Sequence, residues 1–281
     1  MSSLLQRAKN NADLPKAFVT SFVAGRKERE VFDSIERYCM FIGNPRSGHS
    51  LVGSLLDAHP EAVISHELDA LRYVHAGFTR DQLYALILEK QRADAEAGRW
   101  SGVYQYAVPD QWQGRYSKLR VIGDKKGGRS TRRMLDNPRL LPKLRSLTGI
   151  PVRFVHIVRN PFDNITTMHG KKKDRSTLAD TLAAYFRQCE GVEQTRRETA
   201  DGEMLELRHE DLLVDTPAFL RTVCSFVGLE ATDDYIASCA SILFESPNRS
   251  REKGAWTPEL IAEVERRMQA FSFLSSYSFE S

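Results

Sequence analysis

The feature that most constrains the fold is a short strand, turn and helix segment, FIGNPRSGHSLVGSLL. An apolar run typical of a strand ends at Gly43, and a helix-forming run begins near Ser47. In an open parallel sheet, ligands bind where the carboxyl ends of strands meet helix N-termini. Because Gly48 lets the backbone approach a ligand closely, the N–H groups of Gly48, His49 and Ser50 are predicted to cradle an anion.

Further apolar, β-rich runs alternate with helical stretches, as in a parallel sheet with crossover helices. Strands are predicted at residues 38–43, 62–65, 119–123, 152–158 and 204–207. Helices are predicted at residues 47–58, 80–97, 178–199, 217–227 and 258–270, several of them opened by Pro or by a Thr or Asp cap. The pattern predicts an α/β fold: a doubly wound, mainly parallel sheet of about five strands with helices on both faces.

Two segments lie outside this alternation. Residues 1–36 are predicted to form a helical, amphipathic arm. Residues 98–117 mix Gly, Pro and aromatic residues without a clear period, which predicts a loop or lid. The chain of 281 residues is long enough for one large α/β domain or two small ones, and we expect one.

Composition argues against several classes of protein. The 40 basic and 37 acidic side chains leave a net charge of +3, too small to indicate nucleic acid as the main partner. The four cysteines, which are Cys39, Cys189, Cys224 and Cys239, form no CxxC pair, so buried thiols are expected rather than zinc or disulfides. The sequence has no apolar run of about 18 residues, so no membrane span is predicted. It also has no signal-peptide core, and a cytoplasmic location is therefore expected.

The turn departs from a nucleoside triphosphate loop at one position. Residues 43–50 fit the frame GxxxxGK[ST] except that His49 stands in the place of Lys. In triphosphate-binding enzymes that Lys reaches the β- and γ-phosphates. A cation occurs instead as Arg46, whose guanidinium suits the bridging oxygen of a phosphosulfate. The turn therefore favours a donor other than ATP.

At these residues the chain resembles the sulfotransferase family that uses 3′-phosphoadenosine-5′-phosphosulfate (PAPS). That family's nucleotide loop reads PKSGTT or RSGTT after the first strand, and this chain has PRSGHS. The following segment LLDAHPEAVISHE is similar to the branch that contains the Golgi protein-tyrosine and carbohydrate sulfotransferases. The resemblance implies that PAPS is held by Arg46, Ser47, Gly48, His49 and Ser50.

The same resemblance implies catalytic roles for residues further along the chain. In the tyrosine-sulfating relatives a glutamate at the spacing of Glu67 is the proposed general base, and His66 is a competing candidate that we rank second. A helix-start carboxylate is the alternative interpretation of Glu67. The segment VIGDKKGGRS is similar to the family's Lys-Thr-Pro segment, which implies that Lys125 stabilises the sulfuryl group. Since Lys126 and Gly127 replace Thr and Pro, the choice between Lys125 and Lys126 stays open.

Three further segments match the family's nucleotide-binding pattern. Its 3′-phosphate motif is an Arg at a strand end and a Ser eight residues later, and here Arg159 and Thr167 stand at those positions. His209 replaces a tyrosine that stacks near adenine. The run SPNRSREKGAWTPEL resembles a basic loop that closes over the nucleotide, with Trp256 as either core or ligand contact. The candidates in that loop are Ser246, Arg251, Lys253 and Gly254.

The resemblance implies an enzyme that moves a sulfuryl group from PAPS to a hydroxyl or amine of an acceptor, without a metal. The predicted acceptor is a small molecule, with a carbohydrate or tyrosine as alternatives, and neither nucleic acid nor membrane is an expected partner. Its pocket is expected from loops 68–117 and 171–177. Lysines 171–173 are interpreted as a solvated surface, with nucleotide or acidic-acceptor contact as the alternative. A kinase or NTPase with a degenerate loop and an inactive nucleotide-binding module are the alternative functions.

Overall fold

The computed structural model describes residues 12–98, 100–101, 104–171, 176–244 and 248–281. Its strands are β1 (Arg37–Ile42), β2 (Ala62–His66), β3 (Trp100–Ser101), β4 (Tyr104–Gln105), β5 (Val121–Lys125), β6 (Val152–Val158) and β7 (Met204–Arg208). Five of them form a parallel sheet in the order β2-β5-β1-β6-β7, and β3 and β4 form a separate antiparallel pair. The predicted five-stranded α/β sheet is confirmed.

Thirteen α-helices surround the sheet within the described ranges. They are α1 (Leu14–Lys27), α2 (Arg29–Phe32), α3 (His49–Asp57), α4 (Ala70–Ala76), α5 (Arg80–Glu96), α6 (Gly127–Asp136), α7 (Leu140–Thr148), α8 (Pro161–Gly170), α9 (Leu178–Arg197), α10 (Asp211–Val214), α11 (Thr216–Val227), α12 (Asp233–Ala240) and α13 (Pro258–Met268). Short 3₁₀ turns occur at Ser250–Lys253 and Ser272–Leu274.

The long helices begin where the sequence predicts caps. The Thr79 side chain accepts from the Gln82 N–H and the Thr177 side chain accepts from the Asp180 N–H, each completing a capping box. Asp215 caps α11 in the same way through its side chain. These local hydrogen bonds explain why the predicted starts of α5, α9 and α11 agree with the structure to within one residue.

Successive side chains of β1 point to opposite faces of the sheet and pack into two separate layers of the core. Tyr38, Met40 and Ile42 pack into one hydrophobic cluster, and Cys39 and Phe41 pack into the cluster on the opposite face. All five side chains are buried. A strand with both faces covered reads as a continuous apolar run, which is why the sequence predicts β1 correctly.

Strand β5 ends two residues later than predicted. Parallel pairing with β2 places Lys125 opposite His66, so the strand includes Asp124 and Lys125. Both charged side chains are buried and held by hydrogen bonds, and an apolar pattern does not detect such residues. Lys125 therefore lies on the last position of a strand rather than in the loop after it, which corrects the prediction.

The segment predicted as a lid is bound to α3 over its second half. The Gln113 side-chain amide donates to Ser54 Oγ over 2.7 Å, and the Gly114 N–H donates to Asp57 Oδ2 over 3.1 Å. The first half contains the β3 and β4 pair. Residues from about 111 onward are thus bonded to α3 by buried and partly buried hydrogen bonds, and they form a loop, one of the two predicted alternatives.

The N-terminal arm is helical where it is described. Helix α1 packs on α5, and Gly25 lies so close that a Cβ there would be 2.9 Å from the Asp81 backbone. Residues 1–11 of the predicted arm and lysines 172 and 173 lie outside the described residues. Lys171 is exposed, in agreement with a solvated position.

Gly123 provides a test of the packing between β5 and β1. A Cβ at this position would overlap the Cys39 carbonyl oxygen of the neighbouring strand. We expect Gly123→Ala to lower the free energy of unfolding by about 1–3 kcal/mol in urea titrations, because a buried backbone has little room to move. The control is Gly170→Ala, where no described atom outside its own helix backbone lies within 4 Å of the added carbon. Equal stability of the two variants would contradict the described strand contact.

Candidate active site

A cleft of about 900 Å³ opens at the edge where the parallel strands end. Its lining includes one residue that follows or ends each strand of the main sheet: Arg46, Glu67, Lys125, Arg159 and His209. Carboxyl ends of parallel strands meet at the same edge, where ligands of open α/β sheets bind. The topology therefore brings together residues that are far apart in the sequence.

The turn after β1 is held in place by two neighbouring helices. The Gly43 N–H donates to Thr131 Oγ1 of α6 over 2.8 Å. The Asn164 side-chain amide of α8 donates to the Pro45 carbonyl oxygen over 2.7 Å. Because these bonds are buried or partly buried, they hold the turn in one conformation.

Gly48 is required at the start of α3 for two reasons. Its φ of 102° is left-handed, and a Cβ would overlap Nδ1 of His209. No side chain caps α3 at this point. The Leu51 and Val52 N–H groups donate to the Gly48 carbonyl oxygen over 3.0 and 3.2 Å, so the candidate anion site consists of the N–H groups of Gly48, His49 and Ser50 together with the helix dipole.

His49 does not replace the charge of the lysine in triphosphate loops. The imidazole is buried, with Nε2 at 3.2 Å from Ser47 Oγ. Burial, together with the nearby His156 and Lys125, lowers the pKa of His49 to about 3. A Cβ on Gly127 would overlap this ring, so Gly127 is needed for the neutral histidine to fit.

Two lysines hold Glu67 in the cleft. Lys125 Nζ donates to Ser50 Oγ over 2.8 Å and to Glu67 Oε1 over 3.1 Å, and Lys126 Nζ donates to Glu67 Oε2 over 2.7 Å. Burial alone would raise the pKa of Glu67, but the two ammonium groups outweigh it and lower the pKa to about 2. Of the two lysines, Lys125 is the one bonded to the turn. His66, the competing base, is not among the residues that line the cleft.

The backbone around Glu67 is held by a buried carboxylate that the sequence analysis missed. Glu67 and Asp69 have φ values of 64° and 68°, which non-glycine residues adopt rarely. Asp124 accepts the N–H groups of Leu68 and Ala70 over 3.0 and 2.8 Å. These bonds compensate for the strained conformation. The available signal was an acidic residue inside the apolar run VIGD.

The second predicted motif lies beside the first. Arg159 Nη1 is 3.4 Å from Thr167 Oγ1 and donates over 3.4 Å to the Arg46 carbonyl oxygen. Its Nη2 donates to the Asn248 carbonyl oxygen over 2.6 Å, and Thr167 Oγ1 lies 3.1 Å from Ser250 Oγ. The two turns therefore meet at one rim of the sheet. Ser250, which the sequence analysis did not select, completes this cluster of donors.

Three predicted nucleotide contacts are not brought to the cleft. Arg251 is buried, with Nη1 3.6 Å from Asp163 Oδ2 and Nη2 donating to the Ser281 carbonyl oxygen. Lys253 and Gly254 do not line the cleft either. A buried guanidinium needs a carboxylate partner, and Asp163 is that partner for Arg251, so this placement does not support the predicted roles.

Ser246 and Trp256 are the other two candidates from the same loop. Ser246 lies outside the described residues. Trp256 donates from Nε1 to Thr166 Oγ1 over 3.0 Å and packs edge-on against Phe162. Of its two proposed roles, the structure thus favours core packing.

The fold and the cleft define a class of protein that binds an anionic nucleotide at the carboxyl edge of a parallel sheet. The model of the sulfotransferase family matches residues 40–234, which include both turns. The chain belongs to the sulfotransferase family. This confirms the predicted enzyme class and does not favour the kinase alternative. A search of curated protein sequences found no match.

Solved structures with the same fold are sulfotransferases of low sequence identity. One is the sulfotransferase domain of the Synechococcus PCC 7002 olefin synthase, with 16% identity, a TM-score of 0.50, and coverage of 81% of this chain and 83% of that chain. A sulfotransferase domain from the curacin biosynthetic pathway has 13% identity, a TM-score of 0.52, and coverages of 84% and 97%. A Mycobacterium avium sulfotransferase has 12% identity, a TM-score of 0.51, and coverages of 90% and 81%.

The described ranges lack both a candidate membrane span and a candidate metal site. They contain no helix that is both long and apolar enough to span a membrane. They also contain no group of three or more His, Cys, Asp or Glu side chains arranged to hold a metal ion. The predicted cytoplasmic location stays a prediction.

The pairing of Glu67 with two lysines has a measurable consequence. We expect the Glu67 carboxyl carbon to show no titration in NMR spectra above about pH 3, because its pKa is held near 2. Removing one cation in Lys126→Gln raises this pKa toward the ordinary value of about 4.3. The distant variant Lys143→Gln leaves it unchanged. Titration of wild-type Glu67 near its ordinary pKa would contradict the described ion pairs.

Proposed function

We propose that this chain transfers a sulfuryl group from PAPS to a hydroxyl group of a small-molecule acceptor. The observation that carries the proposal is the contact between the two turns, in which Arg159 reaches the Arg46 carbonyl oxygen. A doubly phosphorylated adenosine has anionic groups at both ends of its ribose. Arg159, Thr167 and Ser250 suit the 3′-phosphate, and the turn with Arg46 suits the phosphosulfate.

The apolar lining of the cleft suits the adenine. Leu213, Ile242 and Phe244 line the cleft together with His209, which follows β7. Burial and the neighbouring Arg159 lower the pKa of His209 to about 4, so its ring is neutral near pH 7. A neutral ring beside apolar side chains suits a stacked base, although it offers less area than a tyrosine.

In the proposed reaction the acceptor oxygen attacks sulfur in line with the bridging oxygen. The new sulfur–oxygen bond forms as the bridging bond breaks, and the electron pair of that bond remains on the phosphate. Arg46, Lys125 and the N–H groups at the start of α3 stabilise this developing charge. The acceptor proton passes to Glu67, which lies in the same cleft and is ionised at neutral pH.

Lys125 links donor binding to the basicity of Glu67. The same ammonium group is bonded to Ser50 of the turn and to Glu67. A phosphosulfate at the turn attracts Lys125 away from the carboxylate, which raises the pKa of Glu67. Glu67 thus becomes a better base once the donor is in place.

Nucleotide binding tests the placement of the 3′-phosphate. Calorimetry should detect binding of 3′-phosphoadenosine-5′-phosphate without metal, and weaker binding of ATP with magnesium. Arg159→Ala should weaken the binding of the former by about 1.5–3 kcal/mol, because charge-assisted hydrogen bonds are lost. The control is Arg221→Ala, whose side chain is 53% exposed and pairs with Asp233 outside the cleft. Tighter binding of ATP would overturn the proposed donor.

Turnover tests the catalytic roles, with radiolabelled PAPS as donor and cell extract as the source of acceptor. Arg46→Ala should slow transfer by about 10²–10³-fold through loss of charge stabilisation. Glu67→Gln should lower kcat by about 10²–10⁴-fold with nucleotide affinity kept. His66→Ala should lower kcat less than Glu67→Gln does. If His66→Ala were the inactive variant and Glu67→Gln active, the assignment of the base would be wrong.

A further inference from the structure

The cleft carries more positive charge than the proposed donor sites use. Among its described lining residues Glu67 is the only acidic one, and the cationic ones are Arg46, Lys125, Lys126, Arg129, Arg132 and Arg159. The donor sites account for Arg46, Lys125 and Arg159. Lys126 is paired with Glu67 at 2.7 Å. Arg129 and Arg132 therefore need a separate explanation.

The order of the strands places these two arginines across the cleft from the nucleotide. Strand β1 has β6 on one side and β5 on the other, and α6 begins directly after β5. The proposed 3′-phosphate site follows β6, and Arg129 and Arg132 lie on α6. An in-line reaction requires the acceptor to approach sulfur opposite the bridging oxygen. The β5 side of the cleft, which also holds Glu67, is the side that remains for it.

Neighbouring carboxylates do not neutralise this pair of charges. Asp69 is bonded to Arg133 over 2.7 and 2.6 Å, and Arg129 reaches the same carboxylate only at 3.5 Å. No ion pair of Arg132 occurs in the described part of the chain. Residues three apart on a helix lie on one face, so the two guanidinium groups project together.

The start of α6 adds to the attraction for an anion. Gly127 and Gly128 both line the cleft, with the His49 ring packed against Gly127 and Pro45 packed against Gly128. The Lys126 side chain does not cap this helix. The positive end of the helix dipole and the arginines act in the same direction.

We propose that the acceptor carries an anionic group, a carboxylate, phosphate or sulfate, beside the hydroxyl that receives the sulfuryl group. Arg129 and Arg132, aided by the dipole of α6, bind that group and hold the hydroxyl next to Glu67. This inference rests on the proposed function and names the substrate class for it.

The test separates acceptors by charge. A cell extract of the source organism is divided on an anion exchanger at neutral pH into unretained compounds and retained anionic compounds. Each fraction is incubated with radiolabelled PAPS and the enzyme, and labelled products are counted. We expect the retained fraction to give at least about tenfold more product, because charge-assisted binding of one anionic group has this magnitude or more.

The variant Arg129→Gln with Arg132→Gln then tests the site itself. With the purified acceptor we expect KM to rise at least about tenfold, while kcat and the affinity for 3′-phosphoadenosine-5′-phosphate change less than about twofold. The control Arg187→Gln, 65% exposed and outside the cleft, leaves all three values unchanged. Product formed mainly from the unretained fraction, or an unchanged acceptor KM, overturns the inference and leaves the proposed function standing. No product from either fraction contradicts the proposed function, and the inference with it.

Discussion

The site depends on one constraint: the turn after β1 must present backbone N–H groups to the cleft while its own polar groups stay bonded inside the protein. Thr131 and Asn164 meet this requirement from α6 and α8. The close contact of Gly48 with His209 then fixes the turn against β7. An anion site built from fixed dipoles needs little rearrangement when charge develops, which is the condition for electrostatic catalysis.

The site also depends on the balance of charge around Lys125. This buried ammonium group lies between the turn and Glu67, and burial lowers its pKa while the carboxylate opposes that effect. Glu67 is held in turn by the backbone that Asp124 fixes. Ser50 of the turn, Lys125 and Glu67 are thus linked through a few hydrogen bonds, and a change in any one of them alters the charge at the others.

Much of the fold was predictable because its signals are local. β1 is buried on both faces and reads as an apolar run, and Thr79 and Thr177 cap helices through side chains close in sequence. Helix α6 was missed because GGRSTRRMLD begins with two glycines and has few apolar residues. Contacts with α9 and β1 stabilise it instead, and a sequence pattern does not contain such contacts.

The sequence by itself determined the order of the main-sheet strands along the chain, the turn between β1 and α3 and the motif of Arg159 and Thr167, because these follow from residue type and spacing. Only the tertiary structure decided which charges share the cleft. It turned Arg251 inward to Asp163, placed Ser250 beside Thr167, and brought Arg129 next to the cleft. The reason is physical: the direction and partner of a charged side chain depend on which elements pack around it, and that information is spread over the whole chain.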